Sequence, residues 1–174
     1  MDVVFLIRHP ADFVVSLRRL KWNANVGGLL SQPLLKKHHL MPFVEDIKRA
    51  AYENDFICKA SLMWKIIHSV ALKYQKNNPH WIFLKHESLA REPMEGFEKL
   101  YSLLSINYTD RIKAKIQENC SMDNPAEPDH YWQVKRNSRE NIGKWKHYMS
   151  TCEAKKIRDI VESVSSHYYQ NDLW

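Results

Sequence analysis

The residues of this chain that can do chemistry begin at Arg8, which follows the apolar run 3–7. A short apolar run rich in β-branched residues is typical of a strand buried on both faces of a parallel sheet. Pro10 then favours a first helical turn, and the apolar residues after it recur at helical spacing. The segment therefore predicts a strand, a turn and a helix, with Arg8 at the carboxyl end of the strand, where α/β proteins collect anions.

Ser16 lies inside the predicted helix, eight residues after Arg8. Because helical side chains lean toward the N-terminus, its hydroxyl can approach the same place as the guanidinium group. Together the two residues predict a site in which both side chains bind one phosphate group. The alternative is that Arg8 pairs with a surface carboxylate and that Ser16 is simply a small residue in a helix.

The elements that must position these residues read as an α/β pattern, with strands at 2–7 and 81–85 and several longer helices. Helical spacing predicts helices at 10–20, 42–52, 56–75 and 93–104, and from residues 109 and 150 onward. Ser150 and Glu153 have the form of a capping box. Two strands do not make a stable sheet, so further strands are expected from weak segments, another chain or a part before Met1.

The second strand ends in a cluster that contains His86 and Glu87, and Pro93 opens the next helix. We interpret the residues between as a loop. The unit repeats the order of the first one, in which a strand leads through polar residues to a helix that begins at a proline. The structural alternative for Glu87 is a salt bridge or a cap that organises this loop, and we favour that alternative.

Three segments, in the same order, resemble the sulfotransferases that use 3′-phosphoadenosine 5′-phosphosulfate (PAPS). Arg8-x-Pro10 followed by Ser16 resembles the site that holds the 3′-phosphate of PAPS. Glu87, Leu89 and Pro93 resemble a second family segment, in which His86 stands where some members carry a tyrosine that contacts adenine. The resemblance thus implies that the imidazole of His86 stacks on or hydrogen-bonds the adenine of the cofactor.

The third segment, 136–146, resembles the C-terminal nucleotide-binding region of the family, where Gly143, Trp145 and Lys146 match a Gly-x-Trp-Lys motif. Ser138-Arg139-Glu140 stands where cytosolic members carry Arg-Lys-Gly. Arg139 would supply the cation and Ser138 a hydroxyl, whereas Glu140 replaces a glycine whose bare backbone would approach the phosphate.

Arg136 ends an aromatic-Gln-Val-basic segment, Trp132–Arg136, which makes the pattern closest to bacterial and tetratricopeptide-associated sulfotransferases. The alternative for these basic residues is a solvated surface. The resemblance implies a P-loop NTPase-like, three-layer α/β sulfotransferase fold, with residues 1–174 as the C-terminal portion of a single domain.

The resemblance also implies transfer of a sulfuryl group from PAPS to a hydroxyl or amine, on a small-molecule or glycan acceptor, without a metal. The product would be adenosine 3′,5′-bisphosphate. In the family, a first strand, a phosphate loop and the general base precede the Arg-x-Pro motif, and this chain has no Gly-x-x-x-x-Gly-Lys motif. We therefore expect a truncated chain that carries the 3′-phosphate half of the cofactor site, is inactive alone and contains no catalytic base that can be assigned.

Composition agrees with a soluble globular domain that has anionic ligands. The 174 residues contain 26 Lys and Arg against 20 Asp and Glu, for a net charge of +6, and 44% of them are hydrophobic. The apolar runs are far shorter than the ~20 residues of a membrane span. Three widely spaced cysteines indicate a reducing, cytoplasmic location rather than a disulfide framework or a zinc site. Nucleic acid is not an expected partner.

Two other functions remain open at this stage. A strand that leads into Arg8-His9 is also typical of histidine phosphatases, with His9 as a covalent nucleophile, although those enzymes continue with glycine where this chain has Pro10. The basic and aromatic residues of 130–148 are also typical of a non-catalytic module that binds polyanions. Such a module would show steeply salt-dependent binding with no preference for adenosine bisphosphate.

Overall fold

The computed structural model describes residues 2–53, 55–126, 133–170 and 174. The chain forms two compact units. We call residues 1–8 with 80–144 the sheet unit, and residues 9–79 with 145–174 the helical unit. The single domain over residues 1–174 stays a prediction.

The predicted strands and long helices are confirmed in the described residues. The strands are β1 (Val4–Ile7) and β2 (Ile82–Lys85). The α-helices are α1 (Pro10–Arg19), α2 (Pro33–Leu35), α3 (Val44–Glu53), α4 (Phe56–Asn77), α5 (His86–Arg91), α6 (Pro93–Leu103), α7 (Asp110–Cys120), α8 (Trp145–Tyr148) and α9 (Thr151–Ser165). Short 3₁₀ helices lie at Gly27–Ser31, Met41–Phe43 and Arg139–Asn141, with a π-helical turn at Lys36–Leu40.

In the sheet unit, β1 and β2 pair in parallel, with Val4 opposite Ile82 and Ile7 opposite Lys85. On β1, Ile7 is buried, whereas Val4 and Leu6 are 39% and 49% exposed. The prediction that this strand is buried on both faces was therefore wrong. Val4 and Leu6 lie on one face because side chains alternate along a strand, and in the described residues that face is not fully covered.

Helix α5 occupies the segment that the sequence predicted to be a loop. It has six residues, and a helix of that length has little stability of its own. It packs against α6 and against the 3₁₀ turn at Arg139–Asn141. The prediction of a loop was wrong because part of this stabilisation, the contact with Arg139–Asn141, comes from residues that are distant in the sequence.

The helical unit is built around α4, which packs against α1, α3 and α9. Trp64 on α4 is fully buried and stacks on His68, with the ring centroids 3.9 Å apart. Helix α9 begins with the capping box that Ser150 and Glu153 predicted. Glu153 also binds Arg18 of α1 at 2.9 Å. None of the helices in the described residues has the length and hydrophobicity that a membrane span requires.

Two buried histidines of the helical unit predict that acid destabilises it. His9 and His68 are 4% and 5% exposed, and burial lowers the pKa of each from 6.5 to about 4, with the charge of Lys146 contributing at His9. At a pH between these two pKa values, the histidines of the unfolded chain bind protons that those of the folded chain do not. Stability is therefore complete above pH 6.5 and falls toward pH 4, by up to about 3 kcal/mol per histidine.

Urea unfolding followed by circular dichroism at pH 7.0, 5.5 and 4.5 measures this effect. Replacing His68 with asparagine keeps an amide donor near the carbonyl oxygen of Trp64, which lies 2.8 Å from Nδ1 of His68. We expect His68→Asn to reduce the loss of stability between pH 6.5 and 4 to that caused by His9 and the remaining groups. An unchanged pH dependence in this variant would contradict the assignment to His68.

Candidate anion-binding site

The site begins where β1 and β2 end. Ile7 and Lys85 are the last paired residues of the parallel register. Arg8 and His86 directly follow them, so the two residues leave the sheet side by side at its carboxyl edge. Both are half-buried. The pairing of the strands thus brings together two residues that the sequence predicted separately.

Arg136 lies near enough to His86 for its charge to act on the imidazole, as the charge of Arg8 does. The pKa of His86 is lowered first by burial and then by the charges of Arg8 and Arg136, while Glu87 acts in the opposite direction. Both guanidinium groups therefore lie near enough to influence the imidazole, which is neutral at pH 7. Arg136 is held in place because its Nη2 donates to the carbonyl oxygen of Gln133 at 3.0 Å and its backbone N–H donates to that of Asn119 at 3.0 Å.

The imidazole of His86 can make a further hydrogen bond through Nδ1. Its Nδ1 atom is buried and has no hydrogen-bond partner among the described residues. A neutral imidazole has one N–H donor and one acceptor nitrogen. Two guanidinium groups whose charges reach this ring suit an anion with several acceptor oxygens, since charge-assisted hydrogen bonds to phosphate are among the strong ones in proteins.

Ser138 and Arg139 belong to the same unit but bind the far end of α5. Ser138 is buried and its hydroxyl donates to the carbonyl oxygen of Ala90 at 2.7 Å. Arg139 donates from Nε to the carbonyl oxygen of Arg91 and from Nη2 to the carboxylate of Glu92, both at 2.7 Å. The sequence did not single out the pairing with Glu92, because the partners are 47 residues apart.

Gly143 lies in a tight turn before α8. Its φ of +69° is in the left-handed region that favours glycine. A Cβ added there would meet no atom within 4 Å, so backbone conformation, not space, requires glycine at this position. The next residue, Lys144, is buried and donates from Nζ to the carbonyl oxygen of Ala126 at 2.9 Å.

In the helical unit, Trp145 is buried and held by α1. Its backbone N–H donates to the buried carboxylate of Asp12 at 2.9 Å. Its ring stacks on that of His9, with the centroids 5.6 Å apart and the planes 6° from parallel. Lys146 is exposed, with Nζ 5.5 Å from the centroid of the Trp145 ring. No local pattern indicates the contact with Asp12, which spans 133 residues.

His9 is enclosed instead of presented to a substrate. Besides Trp145, the rings of Tyr169 and Trp174 lie against it at centroid distances of 5.0 and 4.7 Å. Its Nδ1 accepts a hydrogen bond from the backbone N–H of Ala11 at 3.3 Å. A buried histidine among aromatic rings suits packing, so the structure does not favour the phosphatase alternative.

The structure therefore gathers three of the predicted cofactor residues, Arg8, His86 and Arg136, into one cluster of the sheet unit. Ser138, Arg139 and Gly143 lie elsewhere in that unit, while Ser16, Trp145 and Lys146 belong to the helical unit. Ser16 is half-buried on α1, and its shared grip with Arg8 stays a prediction. Within the predicted basic and aromatic segment, His130, Tyr131 and Trp132 lie outside the described residues.

The parallel strands and the cationic cluster at their carboxyl edge define an α/β protein with a site suited to an anionic ligand. A family model of the sulfotransferase domain matches residues 1–170. The chain belongs to the sulfotransferase family, and the resemblance of its three segments is confirmed at that level. No curated protein and no solved structure matches the chain significantly.

Proposed function

We propose that this sulfotransferase chain uses PAPS and that Arg8, His86 and Arg136 hold the 3′-phosphate of the cofactor. The observation that carries the proposal is the position of Arg8 and His86, adjacent at the carboxyl ends of two parallel strands. Family membership supplies the type of reaction. The cluster supplies a place where a doubly charged phosphate is stabilised.

The residues present fit a phosphate group. Each guanidinium offers N–H donors in a fixed fork that matches phosphate oxygens. The buried Nδ1 of His86, which has no partner in the described part of the chain, can donate a further hydrogen bond. When bound, PAPS supplies the sulfuryl group that is transferred to the hydroxyl or amine of a small-molecule or glycan acceptor. Arg8 and Arg136 bind and neutralise the phosphate, and the proposed reaction requires no metal.

The remaining parts of the proposal rest on the resemblance. Ser16, Gly143, Trp145 and Lys146 would belong to the same cofactor site, on the pattern of bacterial and tetratricopeptide-associated members. No described residue is assigned as the catalytic base, so the chain would supply the 3′-phosphate half of the site and be inactive alone. Its free thiols at Cys58, Cys120 and Cys152 support a reducing, cytoplasmic location.

Calorimetric titration of the full chain tests the proposal by comparing adenosine 3′,5′-bisphosphate with 5′-AMP. We expect the bisphosphate to bind at least about 10-fold more tightly, because hydrogen bonds to a charged group contribute about 1.5–3 kcal/mol. Circular dichroism confirms that the chain is folded. Equal affinities in a folded chain, or binding only to heparin with a steep salt dependence, would contradict the proposal and favour a polyanion-binding module.

A further inference from the structure

The C-terminal end of α5 is held by side chains from a distant segment. Helices leave their last carbonyl groups without partners inside the helix, and α5 has only six residues. The hydroxyl of Ser138 donates a hydrogen bond to the carbonyl oxygen of Ala90, and Nε of Arg139 donates one to that of Arg91, each at 2.7 Å. His86 is the first residue of the same helix, so any movement of α5 moves the imidazole.

The same bonds limit what the two side chains can offer a phosphate. The single hydroxyl proton of Ser138 is directed to a carbonyl oxygen, and the side chain is 8% exposed. The guanidinium of Arg139 already uses Nε and Nη2, and the carboxylate of Glu92 at 2.7 Å neutralises its charge. A phosphate would have to compete with a carboxylate that is already in place.

We infer that Ser138 and Arg139 are positioning residues, which fix α5 and through it His86, and that they do not bind the phosphate themselves. This inference rests on the proposed function of the site. It differs from what the family resemblance implies for these two positions, where a cation and a hydroxyl would contact the cofactor. The two assignments predict different behaviour of the protein without any ligand.

Two variants distinguish a positioning role of Ser138 and Arg139 from direct binding of the phosphate. Arg139→Lys keeps the positive charge but removes the fork of Nε and Nη2, and Ser138→Ala removes the hydroxyl donor. The first readout is the pKa of His86 in the ligand-free full chain, which is measured from the NMR signals of its imidazole as the pH is varied. The second is the affinity for adenosine 3′,5′-bisphosphate. Arg111→Lys on α7 and Ser102→Ala on α6 are matched controls, since both residues are exposed in the same unit.

If the two residues position α5, the pKa of His86 rises toward 6.5 in both variants without ligand, because a loosened helix exposes the ring. Affinity for the bisphosphate then falls about five-fold, the scale of one net hydrogen bond, and the controls change neither readout. A fall in affinity with an unchanged titration of His86 would overturn the inference in favour of direct binding. No change in either readout would overturn it as well.

The failure of the proposed function has a different signature. In that case the wild-type chain itself shows no preference for the bisphosphate over 5′-AMP. The ligand-free titration of His86 still reports whether Ser138 and Arg139 hold α5. An unchanged titration there would overturn the inference on its own.

Discussion

Arg8→Ala is expected to abolish the preference of the chain for adenosine 3′,5′-bisphosphate over 5′-AMP. Arg8 is half-buried beside His86 at the end of β1, so the proposed contact with a phosphate would be partly shielded from water. Removing one partner of a buried, charge-assisted contact costs about 2–5 kcal/mol. We therefore expect the affinity for the bisphosphate to fall by at least about 10-fold, to about that for 5′-AMP, whereas the affinity for 5′-AMP itself changes little.

Arg111→Ala is the matched control, because it removes the same charge from an exposed position on α7 of the same unit. Calorimetry with both ligands at two salt concentrations gives the comparison. A loss in Arg111→Ala as large as that in Arg8→Ala would show that net charge, not a built site, attracts the ligand. Arg8→Lys should retain part of the affinity, since it keeps the charge without the forked geometry.

Trp64→Ala is expected to have the largest effect on stability. Trp64 is 0% exposed and stacks on His68 inside α4, the central helix of the helical unit. Truncation of a fully buried tryptophan costs about 3–5 kcal/mol in lost burial and residual cavity. That loss approaches the whole stability of a typical domain. Urea unfolding measured by circular dichroism should therefore show a much lower midpoint or an unfolded chain.

Trp22→Ala serves as the control because Trp22 is 62% exposed. Surface substitutions of this kind usually change stability by less than about 0.5 kcal/mol. A similar loss of stability in both variants would contradict the assignment of Trp64 to the core. Trp64 and His68 lie four residues apart on the apolar face of α4, and both are buried.

The sequence by itself determined the strands, the long helices and the capping box at Ser150. These features are set by residues within a few positions of one another, through apolar periodicity and local hydrogen bonds. It also placed Arg8 and His86 after the two strands, because each strand ends where its apolar run ends. Three motifs in order further indicated the sulfotransferase family, which the family comparison confirms.

Only the tertiary structure decided which residues meet. The parallel register brings Arg8 beside His86, and residues 47 and 48 positions away in the chain stabilise α5, where the local sequence predicted a loop. Asp12 binds the backbone of Trp145 across 133 residues. Such contacts depend on how segments that are distant in the chain pack together, and no local pattern encodes them. For the same reason the exposure of Val4 and Leu6 followed from what lies over the sheet, and the apolar run alone did not predict it.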